Sequence, residues 1–154
     1  MVRVMASGVF DLLHAGHVYY LEKAREMGDE LVVVARDSTV RKQKHEPITS
    51  EEMRRSLVEA LKPVDKAVLG KEGDMYDIVR ELKPDIIAIG YDQPYDAEVI
   101  RNELDKRGLK VEVRRLPYMD GDLDGTRKIV RKIIDMWSFT QNMKKIEGGK
   151  RKKI

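Results

Sequence analysis

The segment Ser7–His17 reads SGVFDLLHAGH and lies between a short apolar opening and an amphipathic run. Gly8 and Gly16 fall inside it, and His14 and His17 stand three residues apart at its end. Small residues let a ligand approach the backbone closely. A helix N-terminus offers unpaired N–H groups and the positive end of a dipole. Two imidazoles spaced i, i+3 share one face of a helical turn. The segment therefore predicts a phosphate site in a turn between a strand and a helix.

The composition is that of one domain. The chain has 154 residues, of which 42% are hydrophobic, which suffices for a single core. Charged residues make up 37%, more than the usual quarter, and predict a highly solvated surface. The net charge is only +3, and up to Lys145 the two signs balance. We therefore expect no nucleic-acid partner.

The chain contains no cysteine. This excludes disulfides, thiolate metal sites and a cysteine nucleophile, and it fits the cytoplasm. The opening residues lack the pattern of a signal peptide, and every apolar run is far shorter than the roughly 20 residues of a membrane span. We expect a soluble, cytoplasmic protein without a membrane partner.

Short apolar runs alternate with amphipathic ones along the chain. The predicted strands are Val2–Ala6, Glu30–Ala35, Lys66–Leu69, Asp85–Ile89 and Lys110–Arg115. The predicted helices are His17–Met27, Ser50–Leu61, Asp74–Leu82, Tyr95–Arg107 and Gly125–Trp137, the last running on towards Lys145. The alternation predicts right-handed βαβ units. The fold class is therefore α/β: a doubly wound, Rossmann-like sheet of five parallel strands with helices on both faces.

The whole fold is expected to form a single domain at residues 1–143. Residues 144–154 form a basic tail, which we read as a solvated end. In doubly wound sheets, ligands bind at the carboxyl ends of the strands, near the point where the strand order reverses. The predicted loops at those ends are Ser7–His17, Arg36–Thr49, Gly70–Gly73, Gly90–Pro94 and Leu116–Gly125.

The spacing G-x-F-D-x-x-H-x-G-H from Gly8 to His17 resembles the motif of the cytidylyltransferase-like nucleotidyltransferases. Further stretches are similar to the archaeal FAD synthase branch: Arg36–Val40, Pro47–Ile48, Glu52–Arg55, Glu59–Lys66, Leu82–Asp85 and Gly90–Gln93. The resemblance implies that a phosphate of an acceptor attacks the α-phosphate of a nucleoside triphosphate in line, and that pyrophosphate leaves. Such chemistry depends on positioning and charge stabilisation.

The resemblance also implies roles for single residues. His14, His17 and Lys44 are the implied catalytic residues, in contact with the phosphates. The implied nucleotide-binding residues are Val9, Phe10, His14, Ala15, Gly16, His17, Asp92, Tyr118, Thr126 and Arg127. Asp11 is expected to brace the turn. A divalent cation, Mg²⁺, is the expected cofactor, and no protein metal ligand is assigned.

The activity most consistent with the resemblance is FMN adenylyltransferase, which makes FAD and pyrophosphate from ATP and FMN. One alternative is a cytidylyl- or adenylyltransferase acting on glycerol 3-phosphate or a sugar phosphate, with CTP or ATP as donor. Another is a nucleotide-binding module without catalysis. The alternatives stay open because His45-Glu46 replaces a basic residue of the relatives, and an acidic stretch, Asp120–Asp124, replaces their Ser/Thr-rich turn.

Four further features have two interpretations each. The acidic stretch either holds a divalent cation or is a solvated loop. Arg54 and Arg55 each bind an anion or form a surface ion pair. Trp137 and Phe139 either pack on the domain's own sheet or lie in the interface of a homodimer, an assembly that the resemblance allows.

Overall fold

The computed structural model describes residues 1–43, 45–118 and 125–151. Its elements, in chain order, are β1 (Arg3–Gly8), α1 (Ala15–Arg25), β2 (Asp29–Val34), α2 (Asp37–Gln43), α3 (Glu51–Glu59), β3 (Lys66–Leu69), α4 (Asp77–Leu82), β4 (Ile86–Ile89), α5 (Ala97–Lys106), β5 (Glu112–Arg115) and α6 (Thr126–Arg151). Strands and helices alternate as the sequence predicts.

The five strands form one parallel sheet in the order β3-β2-β1-β4-β5. The chain winds outwards from β1 to β3, then returns to place β4 on the other side of β1. The strand order therefore reverses between β1 and β4, and their carboxyl ends border the crevice where doubly wound folds bind ligands. The predicted fold class is confirmed.

Both faces of the sheet are covered, because successive residues of a strand point to opposite sides. Val4 belongs to a core cluster with Leu21 of α1 and other side chains of α1 and α3. Its neighbour Met5 belongs to a second cluster, with Leu104 of α5 and side chains of α4. Because side chains pack on both faces of β1, the strand fixes the position of the turn that follows it.

The first strand is longer than predicted. β1 continues through Ser7 and Gly8, which pair with Val33 and Val34 of β2. Sequence alone suggested an end at Ala6, because Ser7 and Gly8 carry no apolar pattern. The turn that carries the predicted phosphate site therefore begins at Val9.

The predicted loop Arg36–Thr49 is partly wrong, since it contains the helix α2. Val40 is the one residue of this helix that is buried. A helix of two turns with one buried side chain shows no periodicity that a sequence reading can detect.

The last helix passes through the predicted limit of the domain at residue 143 without a break and ends at Arg151. The division into a domain and a tail stays a prediction. In the parts of the chain that the structure describes, no helix is both long and apolar enough to span a bilayer.

Candidate active site

His14 and His17 form the beginning of α1. His14 is the N-cap residue, and its Nδ1 accepts the backbone N–H of Gly16 at 3.0 Å. The Nδ1 of His17 accepts the backbone N–H of His14 at 3.3 Å, and the two rings stack with centroids 3.7 Å apart. In a neutral imidazole, the nitrogen that does not accept carries the hydrogen. Both Nε2 atoms are therefore N–H donors on adjacent rings, an arrangement suited to phosphate oxygens.

The turn before these histidines has a strained backbone. Phe10 and Leu12 both have a φ of +56°, which is costly for residues with a side chain. The buried Phe10 ring lies 5.4 Å from the ring of His17 and 6.4 Å from that of Tyr20. The packed ring helps to hold the turn in this conformation and supports the face of His17.

Gly8 makes room for the same ring. A Cβ at Gly8 would lie 3.1 Å from two atoms of the Phe10 ring, a contact that the ring could relieve only by moving. Glycine at the end of β1 thus lets Phe10 pack under the histidines, which is a packing reason for the first residue of the motif.

Asp11 braces the turn, as predicted. Its buried carboxylate accepts hydrogen bonds from the Ile48 N–H at 2.6 Å, the Thr49 N–H at 3.1 Å and the Thr49 hydroxyl at 2.7 Å. Burial opposes ionisation of Asp11, but these hydrogen bonds, together with the charge of Arg54, keep its pKa below the usual value. The Asp11 backbone carbonyl accepts from the Thr126 hydroxyl at 2.9 Å, which ties the start of α6 to the motif.

Arg54 is a buried structural residue, a position that neither of its two interpretations, an anion ligand or a surface ion pair, describes. Its guanidinium donates to the carbonyls of Thr49 at 3.1 Å, Val9 at 2.9 Å and Ala35 at 2.7 Å. It also forms an ion pair with Asp37 at 2.5 Å. Arg54 thereby joins the loops that follow β1 and β2. These contacts use the guanidinium N–H groups that would otherwise donate to a phosphate.

Arg55 matches its second interpretation and forms surface ion pairs. It contacts Glu52 at 2.7 Å and Glu59 at 3.2 Å. The sequence could not separate the two arginines, because their difference lies in which side of α3 faces the sheet.

The loop after β4 carries Asp92, whose side chain is exposed. The Gln93 amide in this loop donates to the Ser7 carbonyl at 2.8 Å and accepts from the Gly90 N–H at 2.8 Å. Ser7 lies near the end of β1, so Gln93 links the two strands that border the crevice.

Arg115 holds the same loop from β5. Its guanidinium donates to the carbonyls of Gly90 and Gln93, both at 3.1 Å, and to that of Tyr95. Sequence reasoning assigned no role to Gln93, which it named only within the stretch Gly90–Gln93, or to Arg115. An arginine at the last position of a strand and a glutamine before a proline were the available signals, and both are weak.

Tyr118 lies beyond β5 and is 69% exposed. Its ring meets that of Tyr91 edge-on, with centroids 4.9 Å apart, and its carbonyl accepts from the Tyr19 hydroxyl at 3.3 Å. Two aromatic rings thus lie at the carboxyl ends of β4 and β5, where a nucleotide or flavin ring could stack on them.

Tyr20 forms hydrogen bonds with both strands that border the crevice. Its hydroxyl donates to the Ala88 carbonyl of β4 at 2.6 Å and accepts from the Ser7 N–H of β1 at 3.2 Å. Burial raises the pKa of this phenol, so Tyr20 stays neutral and able to donate.

The structure brings most predicted site residues to one end of the sheet. Those in the turn after β1 and the first turn of α1 are Val9, Phe10, His14, Ala15, Gly16 and His17. Asp92 and Tyr118 belong to the loops after β4 and β5, while Thr126 and the exposed Arg127 open α6. Lys44, Asp120, Asp122 and Asp124 lie outside the described residues. The role of each residue stays a prediction.

The described side chains around the site do not provide a ligand set for the expected divalent cation. Within residues 1–43, 45–118 and 125–151, no group of three or more His, Asp or Glu side chains is placed to hold a metal ion. The one carboxylate within the motif, that of Asp11, is already engaged by three donors. The described part of the site therefore does not form a protein-based metal centre.

The family model described as cytidylyltransferase-like matches residues 5–148. The FAD synthase of Aciduliprofundum boonei is 61% identical over 137 residues, covering 88% of this chain and 92% of that protein. The FAD synthase of Methanobrevibacter ruminantium is 52% identical, covering 86% and 91%. A solved structure, the lipopolysaccharide core biosynthesis protein from Thermoplasma volcanium, superposes with a TM-score of 0.76 at 48% identity, covering 78% of this chain and 99% of that one.

These matches confirm the resemblance stated from the motif and from the stretches of the archaeal branch. They extend over nearly the whole of the relatives' length, so the similarity is not confined to the turn around His14 and His17. The chain therefore belongs to the cytidylyltransferase-like family and is a nucleotidyltransferase.

Proposed function

We propose that this chain is an FMN adenylyltransferase, an FAD synthase, which converts ATP and FMN into FAD and pyrophosphate. The choice of ATP and FMN rests on the similarity to FAD synthases that are 47–61% identical to this chain. The observation that carries the reaction is the pair of stacked imidazoles at the start of α1. Both rings use Nδ1 within the turn and therefore carry hydrogen on Nε2.

In the reaction, an oxygen of the FMN phosphate forms a bond to the α-phosphorus of ATP. The bond from that phosphorus to the bridging oxygen breaks, and pyrophosphate leaves with the electron pair. Negative charge grows on the bridging and non-bridging oxygens. The Nε2–H groups of His14 and His17 donate to these oxygens and stabilise the transition state more than the ground state.

The other predicted site residues bind and orient the substrates. Lys44, Thr126 and Arg127 contact the phosphates, and Gly16 leaves room for the nucleotide beside the turn. The backbone at Val9 and Phe10, with Ala15, packs against it. Asp92 binds the ribose or base, and Tyr118 stacks on a ring. Support for Asp92 comes from the loop that Gln93 and Arg115 hold beside β1.

The expected Mg²⁺ enters as a partner of the triphosphate, which supplies hard oxygen ligands. No step of this mechanism is assigned to the ion, because the described residues do not form a metal centre. A cytoplasmic location and the lack of a nucleic-acid partner stay predictions from composition.

The experiment offers ATP or CTP with Mg²⁺ to the purified chain, together with FMN, glycerol 3-phosphate or a sugar phosphate. Pyrophosphate release is followed, and FAD is identified by chromatography. We expect release with ATP and FMN only. Release with CTP and glycerol 3-phosphate would replace the proposal with its alternative. Nucleotide binding without release for any acceptor would identify a non-catalytic module.

A further inference from the structure

Three tyrosines from separate elements meet beside the crevice between β1 and β4. Tyr91 follows the end of β4, Tyr118 lies beyond β5, and Tyr19 belongs to α1. The Tyr19 hydroxyl donates to the backbone carbonyl of Tyr118 at 3.3 Å. The rings of Tyr91 and Tyr118 have centroids 4.9 Å apart and planes at 73°. The proposed mechanism uses Tyr118 alone, for a ring that it does not identify.

Tyr91 and Tyr118 form a corner, because their ring planes are nearly perpendicular. A planar ligand that stacks on one of these rings presents its edge to the other, and both arrangements are favourable between aromatic groups. The ring of Tyr118 is 69% exposed and Tyr91 is half-buried, so the corner is open to solvent. The pair can therefore receive one planar group.

The surroundings indicate that this group belongs to the nucleotide. Asp92, which is proposed to bind the ribose or base, directly follows Tyr91 in the same loop. β4 is the neighbour of β1 in the sheet, and β5 lies one strand farther. Adjacent strands are about 4.8 Å apart, so β5 lies on the order of 10 Å from β1, whose end carries the motif. A ribose separates the α-phosphate of a nucleotide from its base by a similar length.

Stacking in such a corner favours a purine over a pyrimidine. Adenine has two fused rings and cytosine has one, so adenine buries more apolar area on an aromatic face. A tyrosine ring accepts every base and discriminates only by the strength of stacking. The corner can thus favour ATP over CTP without a hydrogen bond to the edge of the base.

Tyr19 connects the corner to the helix that carries the histidines. α1 begins beside His14, and Tyr19 lies on it two residues after His17. Its hydroxyl reaches the Tyr118 carbonyl across 99 residues of sequence. The Lys23 ammonium lies 5.8 Å from the centroid of the Tyr19 ring and helps to hold that ring. One helix therefore fixes both the imidazoles and the backbone that carries the Tyr118 ring.

We infer that Tyr91 and Tyr118 form a stacking corner for the adenine of ATP, and that this corner makes the site prefer ATP to CTP. Tyr19 is a positioning residue that acts through Tyr118. The inference rests on the proposed function, since it takes ATP as the donor. Tyr19 contacts the backbone of Tyr118, so a substitution of the Tyr118 side chain leaves this hydrogen bond in place.

The test measures binding without turnover. Full-length protein with Mg²⁺ is titrated in a calorimeter with the α,β-methylene analogues of ATP and CTP, in which carbon replaces the oxygen of the bond that breaks. Tyr118→Leu keeps an apolar side chain without a ring and should weaken binding of the ATP analogue by about tenfold, and of the CTP analogue by less. Tyr91→Leu should reduce the same selectivity. Tyr118→Phe keeps the ring and should bind like wild type.

Tyr19→Phe tests the positioning role. Loss of one hydrogen bond should weaken binding of the ATP analogue by about threefold. In a Tyr118→Leu background it should have no further effect, because Tyr19 acts through that ring. The matched control Tyr76→Phe removes a hydroxyl from a ring in the second core cluster and should not change the ratio of the two affinities. Circular dichroism confirms that the variants are folded.

Equal binding of the ATP analogue to wild type and Tyr118→Leu would overturn the inference. So would a loss confined to FMN, followed by flavin fluorescence, since the corner would then hold the flavin. Additive effects of Tyr19→Phe and Tyr118→Leu would overturn the positioning role. A wild type that binds only the CTP analogue would overturn both the inference and the choice of ATP. Tight, tyrosine-dependent binding of the ATP analogue without FAD formation would support the corner and count against the proposed activity alone.

Discussion

The imidazole of His14 stacks on that of His17 at 3.7 Å, while each Nδ1 accepts a backbone N–H of the same turn. The two nitrogens of each ring have different roles. Nδ1 accepts a backbone N–H at the start of α1, whereas Nε2–H is the donor that we propose stabilises the transition state. A substitution that preserves one nitrogen's function and removes the other can separate folding from catalysis.

His14→Asn makes this separation. The asparagine oxygen can accept the Gly16 N–H, as asparagine does at many N-caps, but it replaces no Nε2–H. We expect kcat to fall by about 10²- to 10³-fold, with little change in thermal stability. His14→Ala should lose the same activity and in addition about 1 kcal/mol of stability, since the cap is lost. The measurements are pyrophosphate release and thermal unfolding. Near-normal turnover of His14→Asn would exclude a role for Nε2.

Arg54→Met tests the buried guanidinium. The variant leaves the carbonyls of Val9, Ala35 and Thr49 without their donor and Asp37 without its partner. Breaking a buried pair in this way costs about 3–5 kcal/mol, and we expect that loss in urea unfolding. Arg55→Met, one residue along α3, removes surface ion pairs and should change stability little. Equal stability of the two variants would contradict the assignment.

Arg115→Ala tests how the Asp92 loop is held. It removes three hydrogen bonds from the carbonyls of Gly90, Gln93 and Tyr95. If the loop positions the nucleotide, KM for ATP should rise by about tenfold, with a smaller change in kcat. The control is Arg114→Ala, because the Arg114 side chain pairs with Glu112 at the surface. A fall in kcat alone would place the role of Arg115 elsewhere.

Gly8→Ala tests the contact with Phe10. The added Cβ would press on the Phe10 ring at 3.1 Å and displace the support of His17. We expect at least a tenfold loss of kcat from a small displacement, because in-line transfer is sensitive to misplacement. Gly148→Ala, in open space on α6, is the control and should keep full activity. Full activity of Gly8→Ala would show that the ring can move without consequence.

Glu30→Gln tests a buried acid at the opposite end of the sheet. Neither carboxylate oxygen of Glu30 has a hydrogen-bond partner in the described part of the chain. Burial raises its pKa from 4.5 to about 8, with Arg25 opposing this and Asp65 adding to it. The folded protein therefore retains a proton that the unfolded chain releases above pH 4.5. This contribution to stability is complete below about pH 4.5 and is lost as pH rises towards 8.

The measurement is the melting temperature from pH 5 to pH 8. Wild type should lose stability relative to Glu30→Gln across this range, by an amount on the order of a few kcal/mol in total. The slope is compared rather than the offset, because the amide is itself polar. Glu26→Gln, at the exposed end of α1, should run parallel to wild type. Parallel curves for Glu30→Gln would contradict the raised pKa.

The sequence by itself determined the order of strands and helices, the parallel sheet and the place of the motif at the end of β1. It could do so because these features depend on local periodicity and on the spacing of residues such as Gly8, His14 and His17. It also indicated that Asp11 braces the turn, which its three hydrogen bonds confirm.

The tertiary structure alone decided which of two adjacent arginines is buried, and that Gln93 and Arg115 hold the loop of Asp92. Among the described residues, it alone shows that the carboxylate of Glu30 has no hydrogen-bond partner and that large apolar side chains of α6 are exposed. These properties depend on what lies opposite a residue in space. Partners such as Arg115 and Gly90 are 25 residues apart in the chain, so no local pattern encodes their contact. The motif can therefore be recognised in the sequence, whereas the residues that support it are brought together only by the fold.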